Sequence, residues 1–418
     1  MSVPASPDFQ VLVIGASFAG LLAAAAAAQA GARVTVFERD HLSDTPDLRP
    51  GVPQGEQPHV LLQRGLQAFE SLLPGVERDL LAVGGVKINT GQMPWLSAYG
   101  WFPVDAPSYE IMSLTRPLLE LVIRRRVLAD ERIDLRDGAR VRSVGRAGQQ
   151  WEIRCLDGSA ALGDLVVDAS GRSSRLPHWL DELGVVLPEP ATVEAKLGYA
   201  ARRYRAPAPV TFRSGVMIAA SQDTDAGAVV LPVENREWLV CAAGYGSKRP
   251  SRDAANLDTF LRKLRDPVIA ELAAVLQPVG DVAIYRQTGN RRHPYGNTRN
   301  WPMGLLVVGD ALCAFNPIYG QGITVAACQA ELLRAQLRGR LSPDTPLSAA
   351  VTRRIQRWLH DITDLPWAVA TGEDLRYEAA TPSPAGCNVS VPFGPGGWFG
   401  SPLGETRSAG TRSPGCTT

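Results

Sequence analysis

Residues 10–40 read QVLVIGASFAGLLAAAAAAQAGARVTVFERD, and this stretch decides the fold. Gln10 to Ile14 is a short apolar run ending on a glycine, the pattern of a buried parallel strand. Leu21 to Gln29 is rich in Ala and Leu, strong helix formers, and Gly31 stops it. Ala32 to Phe37 is a second buried strand. Strand, helix and strand within roughly thirty residues make a right-handed βαβ unit. Between the first strand and the helix lies Gly15-Ala16-Ser17-Phe18-Ala19-Gly20. In a dinucleotide fingerprint the first glycine makes the tight turn, the second lets backbone approach a pyrophosphate, and the third lets helix and strand pack closely. Ser17 stands at the middle position, where a small hydroxyl can still bond a phosphate. Glu38, eighteen residues after Gly20, closes the second strand, where a carboxylate holds ribose hydroxyls.

The rest of the chain is compatible with such a domain. It has 418 residues, enough for two or three structural units at roughly 150 residues each. A composition of 45% hydrophobic and 20% charged residues is that of a globular protein. A formal net charge of +1 gives no reason to expect nucleic acid or an anionic membrane as partner. The six cysteines (Cys155, Cys241, Cys313, Cys328, Cys387 and Cys416) are scattered with no CxxC pair, so reduced thiols and no metal site are expected. The N-terminus lacks the basic start and apolar run of a signal peptide. The most apolar stretch, Leu21 to Ala30, is about half the roughly 20 residues that a membrane span needs. A cytoplasmic protein without a membrane span is expected.

The pattern along the chain predicts an α/β fold. A Rossmann-like nucleotide domain (the glutathione-reductase type of βαβ) would comprise residues 8–190 and 280–345. Helices are predicted over 60–73, 115–129, 254–276, Ile323–Arg338 and 346–370. Residues 139–167 alternate in period two, as in a hairpin returning to the main sheet, and Leu165 to Val167 is another buried strand. Leu197–Tyr204, Ser214–Ala220, Ala228–Pro232 and Trp238–Ala243 predict a mostly antiparallel sheet inserted over 191–279. C-terminal helices occupy 346–378, and a Gly/Pro/Ser/Thr-rich tail over 379–418 is expected to be loose.

Two later motifs carry chemistry. Asp168-Ala169-Ser170-Gly171-Arg172-Ser173-Ser174-Arg175 is a small-residue turn after a buried strand. Gly309-Asp310-Ala311 follows the Leu305 to Val308 strand, and Asn316-Pro317-Ile318-Tyr319-Gly320-Gln321-Gly322 opens the helix after it. That helix start suits an anionic or polarised group, and Asp310 is placed to accept bonds from sugar-like hydroxyls.

Together these motifs resemble the class A flavoprotein monooxygenases, the para-hydroxybenzoate hydroxylase-like family. Gly309-Asp310, Pro317 and Gly320-Gln321-Gly322 match its GD motif. The central motif departs, with Ser170-Gly171 where Asp-Gly is usual, and this form resembles the squalene-epoxidase-like branch. Within that branch the chain is most similar to actinobacterial polyether epoxidases and related tailoring enzymes. The segments Asp47 to Gln54 with His59, Ala98 to Trp101 and Ala314 to Gly322 carry that similarity. It spans residues 8–378, and it breaks at Glu56-Gln57, where the resembling enzymes have basic or imidazole side chains.

The resemblance implies FAD as cofactor. Gly15, Ser17, Gly20, Glu38 and Arg39 would hold its ADP half, and Arg116 would lie near the phosphates or ribitol. Asp310 would bind the ribitol, and Pro317, Gly320, Gln321 and Gly322 would face the isoalloxazine. Arg49, His59 and Pro317 are candidates for the flavin edge. It further implies NADPH or NADH as electron donor, directly or through a flavin reductase. A flavin C4a-hydroperoxide would epoxidise or hydroxylate an apolar polyketide or terpenoid, with no catalytic triad in the protein. Trp95, Tyr99, Trp101, Phe212, Met217 and Trp238 are candidate pocket liners. The alternatives are a flavin halogenase, whose paired tryptophans are missing and whose lysine could only be Lys87, a prenyl reductase or non-redox cyclase, and a flavin-binding protein without turnover.

Overall fold

The computed structural model describes residues 8–104, 107–207, 214–342 and 347–386. Five strands form a parallel sheet in the order Leu305–Val307, Leu165–Asp168, Gln10–Ile14, Arg33–Phe37, Ile133–Arg136. Ile14 pairs with both Asp168 and Phe37, so the turns that follow these strands emerge at one edge of the sheet. That edge, at the carboxyl ends of the strands, is where open α/β sheets take their ligands. The helix Phe18–Gln29 lies on the sheet and is buried along nearly its whole length. Its run of alanines allows close packing against the strands and against the helix Gly322–Leu337.

The Val141–Ala147, Gln150–Cys155 and Ala160–Gly163 strands form a three-stranded antiparallel sheet that feeds Leu165–Asp168. The predicted helix over 60–73 begins instead with a strand, Val60–Leu62, paired with Glu110–Ser113. The helix proper is Gln63–Leu72. The helix predicted over 254–276 is two, Ala254–Arg262 and Val268–Val275. Pro267 separates them, because it lacks an N–H and disfavours helical backbone before it. The helical stretch predicted over 346–370 likewise divides into Ala349–Asp361 and Asp364–Asp374.

The second layer is a seven-stranded sheet ordered Gln277–Tyr285, Leu197–Arg205, Glu237–Tyr245, Ala226–Val233, Val216–Ile218, Trp95–Ser97, Gly100–Trp101. It is antiparallel except where Val216–Ile218 runs parallel to Trp95–Ser97. It therefore draws two strands from the segment before 191, and its Gln277–Tyr285 strand crosses the boundary expected at 279/280. One face packs under the two helices 254–262 and 268–275, through Ala200, Tyr204, Val230, Trp238, Val240 and Ala242. The other face carries Tyr199, Ala201, Cys241, Ala243 and Tyr285, packed with Ile318 of the Pro317 turn.

The tail expected to be loose from 379 starts with an ordered piece. Thr381–Pro382 pairs with Val193 and Glu194, and Ser383 bonds both the N–H and C=O of Thr192. Residues 387–418, with Cys387 and Cys416, lie outside the described residues. Cys155, Cys241, Cys313 and Cys328 are unbridged. Among the described residues no helix is long and apolar enough to cross a membrane.

Candidate functional site: a dinucleotide cradle facing an apolar sheet

Gly15 turns the chain with φ of +98°, and a Cβ there would meet the Ala169 carbonyl oxygen at 2.6 Å. A Cβ on Gly20 would stand 1.8 Å from the Gly15 carbonyl oxygen. Both positions exclude side chains, so helix and strand close directly on the turn. Ser17 is the N-cap of the following helix, yet no side chain caps it. Leu21 N–H is bonded to Ser17 O at 2.9 Å, which leaves the leading N–H groups open to an anion.

Glu38, 4% exposed, accepts from Ala16 N at 2.8 Å and Asp40 N at 3.0 Å. The carboxylate that closes the second strand thus also fixes the glycine turn. Ser17 Oγ donates to Glu120 Oε2 at 2.9 Å and accepts from Arg116 Nη2 at 2.7 Å. Arg116 lies 4.4 Å above the Phe18 ring, is buried, and keeps an Nε with no partner. Burial pulls its pKa down, and Glu120 opposes that. A buried guanidinium with an unused N–H beside an uncapped helix start fits a phosphate.

His59 Nδ1 bonds the Gln57 carbonyl at 2.8 Å, and Nε2 faces Arg116 Nη1 at 3.2 Å. Burial and then Arg116 push the imidazole down to about 3. It is therefore neutral, with Nδ1 donating and Nε2 accepting. Arg49 is placed differently from the flavin-edge expectation. Its guanidinium lies 2.9 Å from Asp40, 3.3 Å from Glu38 and 2.7 Å from Glu120, so it belongs to the Glu38 end. Three carboxylates at this end capture it electrostatically. Arg39 is exposed, its Nη1 3.3 Å from Ser173 Oγ.

The Gly309 motif meets the same place from the other side. Gly309 has φ of +60°, and a Cβ on it would press on Ala19 Cβ at 2.6 Å, so the motif lies against the first helix. Its N–H donates to Gln329 Oε1 at 2.8 Å. The Asp310 carboxylate is one-third exposed and 3.5 Å from Arg172 Nε. Gly320 has φ of +61° and abuts Val60. Gly322 starts a helix that no side chain caps. The Gln321 side chain donates to the Pro366 carbonyl at 2.9 Å and so holds the C-terminal segment.

Asp168, fully buried, spends its carboxylate on its own turn. It accepts from Ser170 N at 3.0 Å, Ser170 Oγ at 2.6 Å and Ser174 Oγ at 2.5 Å. Arg172 donates to the Gly289 carbonyl at 2.7 Å and to that of Phe315.

Of the expected pocket liners, Trp95 and Met217 pair across adjacent strands and pack with Val60, Leu62 and Val229, toward the cradle. Tyr99 and Trp101 sit at the outer edge of the sheet, 77% and 42% exposed. Trp238 is on the opposite face, under the two helices, because side chains alternate along Glu237–Tyr245 and Cys241 takes the cradle side. Phe212 lies outside the described residues. Sequence reading missed Tyr199, Cys241, Tyr285 and Gln57 on the cradle side. The Gln57 carboxamide bonds Ala283 O at 3.2 Å and lies 3.7 Å from Cys241 Sγ, which anchors the 51–58 loop to the sheet. It also missed Glu120, although its position four residues after Arg116 on one helix face was legible.

A family model described as "FAD binding domain" matches residues 8–344. The Mycobacterium tuberculosis protein Rv3254 is 31% identical over 403 residues, covering 91% of this chain and 83% of that protein. A probable FAD-dependent monooxygenase from Pseudomonas aeruginosa, pqsL, has the same fold at 18% identity and a TM-score of 0.63, covering 88% of this chain and 98% of that one. The flavin-dependent halogenase CmlS aligns at 18% identity and a TM-score of 0.63, over 87% of this chain and 64% of that one. The glycine cradle, the uncapped helix starts, the unused Arg116 N–H and these matches agree: the chain belongs to the FAD binding domain family and has a class A flavoprotein monooxygenase-like fold.

Proposed function

We propose that the chain is an FAD-dependent monooxygenase that epoxidises or hydroxylates an apolar secondary metabolite, a polyketide or terpenoid. The observation that carries this reading is the face of the seven-stranded sheet turned to the Pro317 turn. Ala201, Ala243, Val229, Trp95 and Met217 make it apolar, and Tyr199, Tyr285 and Cys241 add a few polar points. Such a wall binds a hydrophobic substrate and excludes water.

In this reading Gly15, Ser17, Gly20, Glu38, Arg39 and Arg116 hold the ADP half of FAD, and Asp310 holds the ribitol. The turn Pro317 to Gly322 would face the ring. Bound flavin supplies the redox chemistry with O₂, drawing electrons from NADH or NADPH, directly or through a flavin reductase. The chain's own part is to orient both partners. Arg116 would balance phosphate charge, neutral His59 holds the Arg116 guanidinium, and the open N–H groups of Gly322–Leu337 would offer a positive end to the bound ring.

The halogenase alternative has less behind it. Lys87 is tied to Glu77 at 2.8 Å and Glu110 at 2.5 Å. The test is incubation of FAD-loaded protein with NADH or NADPH, ¹⁸O₂ and a panel of apolar polyketides and terpenoids. Substrate-stimulated oxidation with one ¹⁸O in the product is expected. Product without label would sink the reading, chloride-dependent product would favour the halogenase, and anaerobic turnover the reductase or cyclase.

A further inference from the structure

The turn Asn316 to Gly322 is gripped from behind by a helix outside the family match. Asp374 ends the helix Asp364–Asp374, is 1% exposed, and reaches the turn through its carboxylate. Asn316 Nδ2 donates to Asp374 Oδ1 at 2.7 Å, Asn290 Nδ2 to Oδ2 at 2.6 Å, and Tyr245 OH to Oδ1 at 3.4 Å.

Neighbouring backbone fixes both amide orientations. Asn316 Oδ1 accepts from Ile318 N at 3.1 Å, and Asn290 Oδ1 accepts from Asn316 N at 2.7 Å, so each NH₂ must face the carboxylate. Asn316 Oδ1 also accepts from Tyr199 OH at 3.1 Å, on the apolar face of the seven-stranded sheet. At the far end of the turn, Gln321 donates to the Pro366 carbonyl of the same helix at 2.9 Å. Every partner of Asp374 is a donor, so the pocket is built for the ionised carboxylate, although burial pushes that carboxyl up to about 7. Three donors converging on one buried carboxyl group make a stiff anchor, because leaving that group unpaired would be costly.

We infer that Asp374 is a positioning residue for the flavin: through Asn316 it sets the conformation of the Pro317–Gly322 turn, and Tyr199 and Tyr245 join that setting to the substrate sheet. The inference rests on the reading of this turn as the flavin's, and needs neither the monooxygenase chemistry nor a substrate.

Asp374→Asn removes the charge and sets an amide N–H against an amide N–H without changing shape. It is expected to weaken FAD binding about tenfold, read by quenching of flavin fluorescence, and to change the visible circular dichroism of bound FAD. The exchange Asp374→Asn with Asn316→Asp rebuilds the pairing with polarity reversed. The amide now at position 374 would donate to the carboxylate at position 316 and accept from Asn290, and that carboxylate would still accept from Tyr199 and Ile318. The double variant is therefore expected to recover most of the FAD affinity and the wild-type spectrum.

A folded Asp374→Asn protein with affinity within twofold of wild type and an unchanged spectrum would overturn the inference. So would a double variant no better than the single ones. Asn316→Ala separates the two levels. If it too leaves FAD binding untouched, the turn is not the flavin's; if it alone weakens binding, the turn stands and the role of Asp374 falls.

Discussion

Gly20→Ala is the sharpest perturbation of the first turn. The added carbon would stand 1.8 Å from the Gly15 carbonyl oxygen and 2.8 Å from its carbon. Both are backbone atoms held in place by the Gly15 N–H bond to Phe37 O at 2.7 Å, so no side-chain rotation relieves the overlap. The helix Phe18–Gln29 must lift off the strand along a fully packed interface. Overpacking of this kind costs about 1–3 kcal/mol, and a clash against backbone belongs at the upper end. At roughly 2 °C per kcal/mol in a large domain, Tm of the protein without FAD should fall by about 6 °C. The same displacement moves the open N–H groups, so FAD should bind at least about tenfold more weakly. Gly31→Ala is the control. Gly31 also has a left-handed φ of +104°, but nothing lies within 4 Å of the place its Cβ would take, so it carries conformational strain alone. It should lose some Tm and keep its FAD affinity. Thermal scans with and without FAD, together with fluorescence titration, decide the matter. Wild-type Tm and affinity in Gly20→Ala, or equal loss of affinity in Gly31→Ala, would refute the reasoning.

Three further outcomes are expected. Glu38→Ala removes the acceptor of the Ala16 and Asp40 N–H groups and should weaken FAD by about tenfold or more, with binding unchanged as the contrary result. Trp238→Ala should cost about 3–5 kcal/mol in denaturant unfolding yet leave substrate selectivity alone, whereas Met217→Ala should alter selectivity; the reverse pattern would mean the faces of the sheet are misassigned. His59 is held down to about 3, below its unfolded value near 6.5, so its contribution is present above pH ~6.5 and lost as pH falls toward 3. His59→Gln should accordingly lose less Tm than wild type between pH 6.5 and 4, and parallel pH profiles would count against a neutral buried imidazole.

The cradle was legible because its determinants are local. Gly15, Gly20 and Glu38 fall within one βαβ unit, and each has a steric or hydrogen-bonding reason that a short stretch of sequence states by itself. Gly320, whose φ of +61° turns the chain after Pro317, was legible for the same reason. What failed depended on distant partners. Trp238 and Cys241 are three residues apart on one strand, so alternation puts them on opposite faces, but which face meets the cradle is settled by helices 254–262 and 268–275. Arg49 reads as a flavin-edge residue until Asp40 and Glu120 arrive from two other segments. Asp374 reaches Asn316 across 58 residues of chain, with no local pattern to announce it. The break at Pro267 was visible in the sequence and overruled a helix drawn through it. The turn after Asp168 reads as a polar rim, but two of its serines consume that carboxylate within the turn itself.

The proposed function stands or falls on whether FAD binds with its phosphates on the Gly15 turn. The direct test is the flavin content of purified wild-type and Gly15→Val protein, loaded with FAD and desalted under the same conditions. A valine at φ of +98°, aimed at the Ala169 carbonyl, closes the cradle. A yellow wild type with about one FAD per chain and a colourless variant are expected. A fully yellow Gly15→Val protein would place the phosphates elsewhere and contradict it.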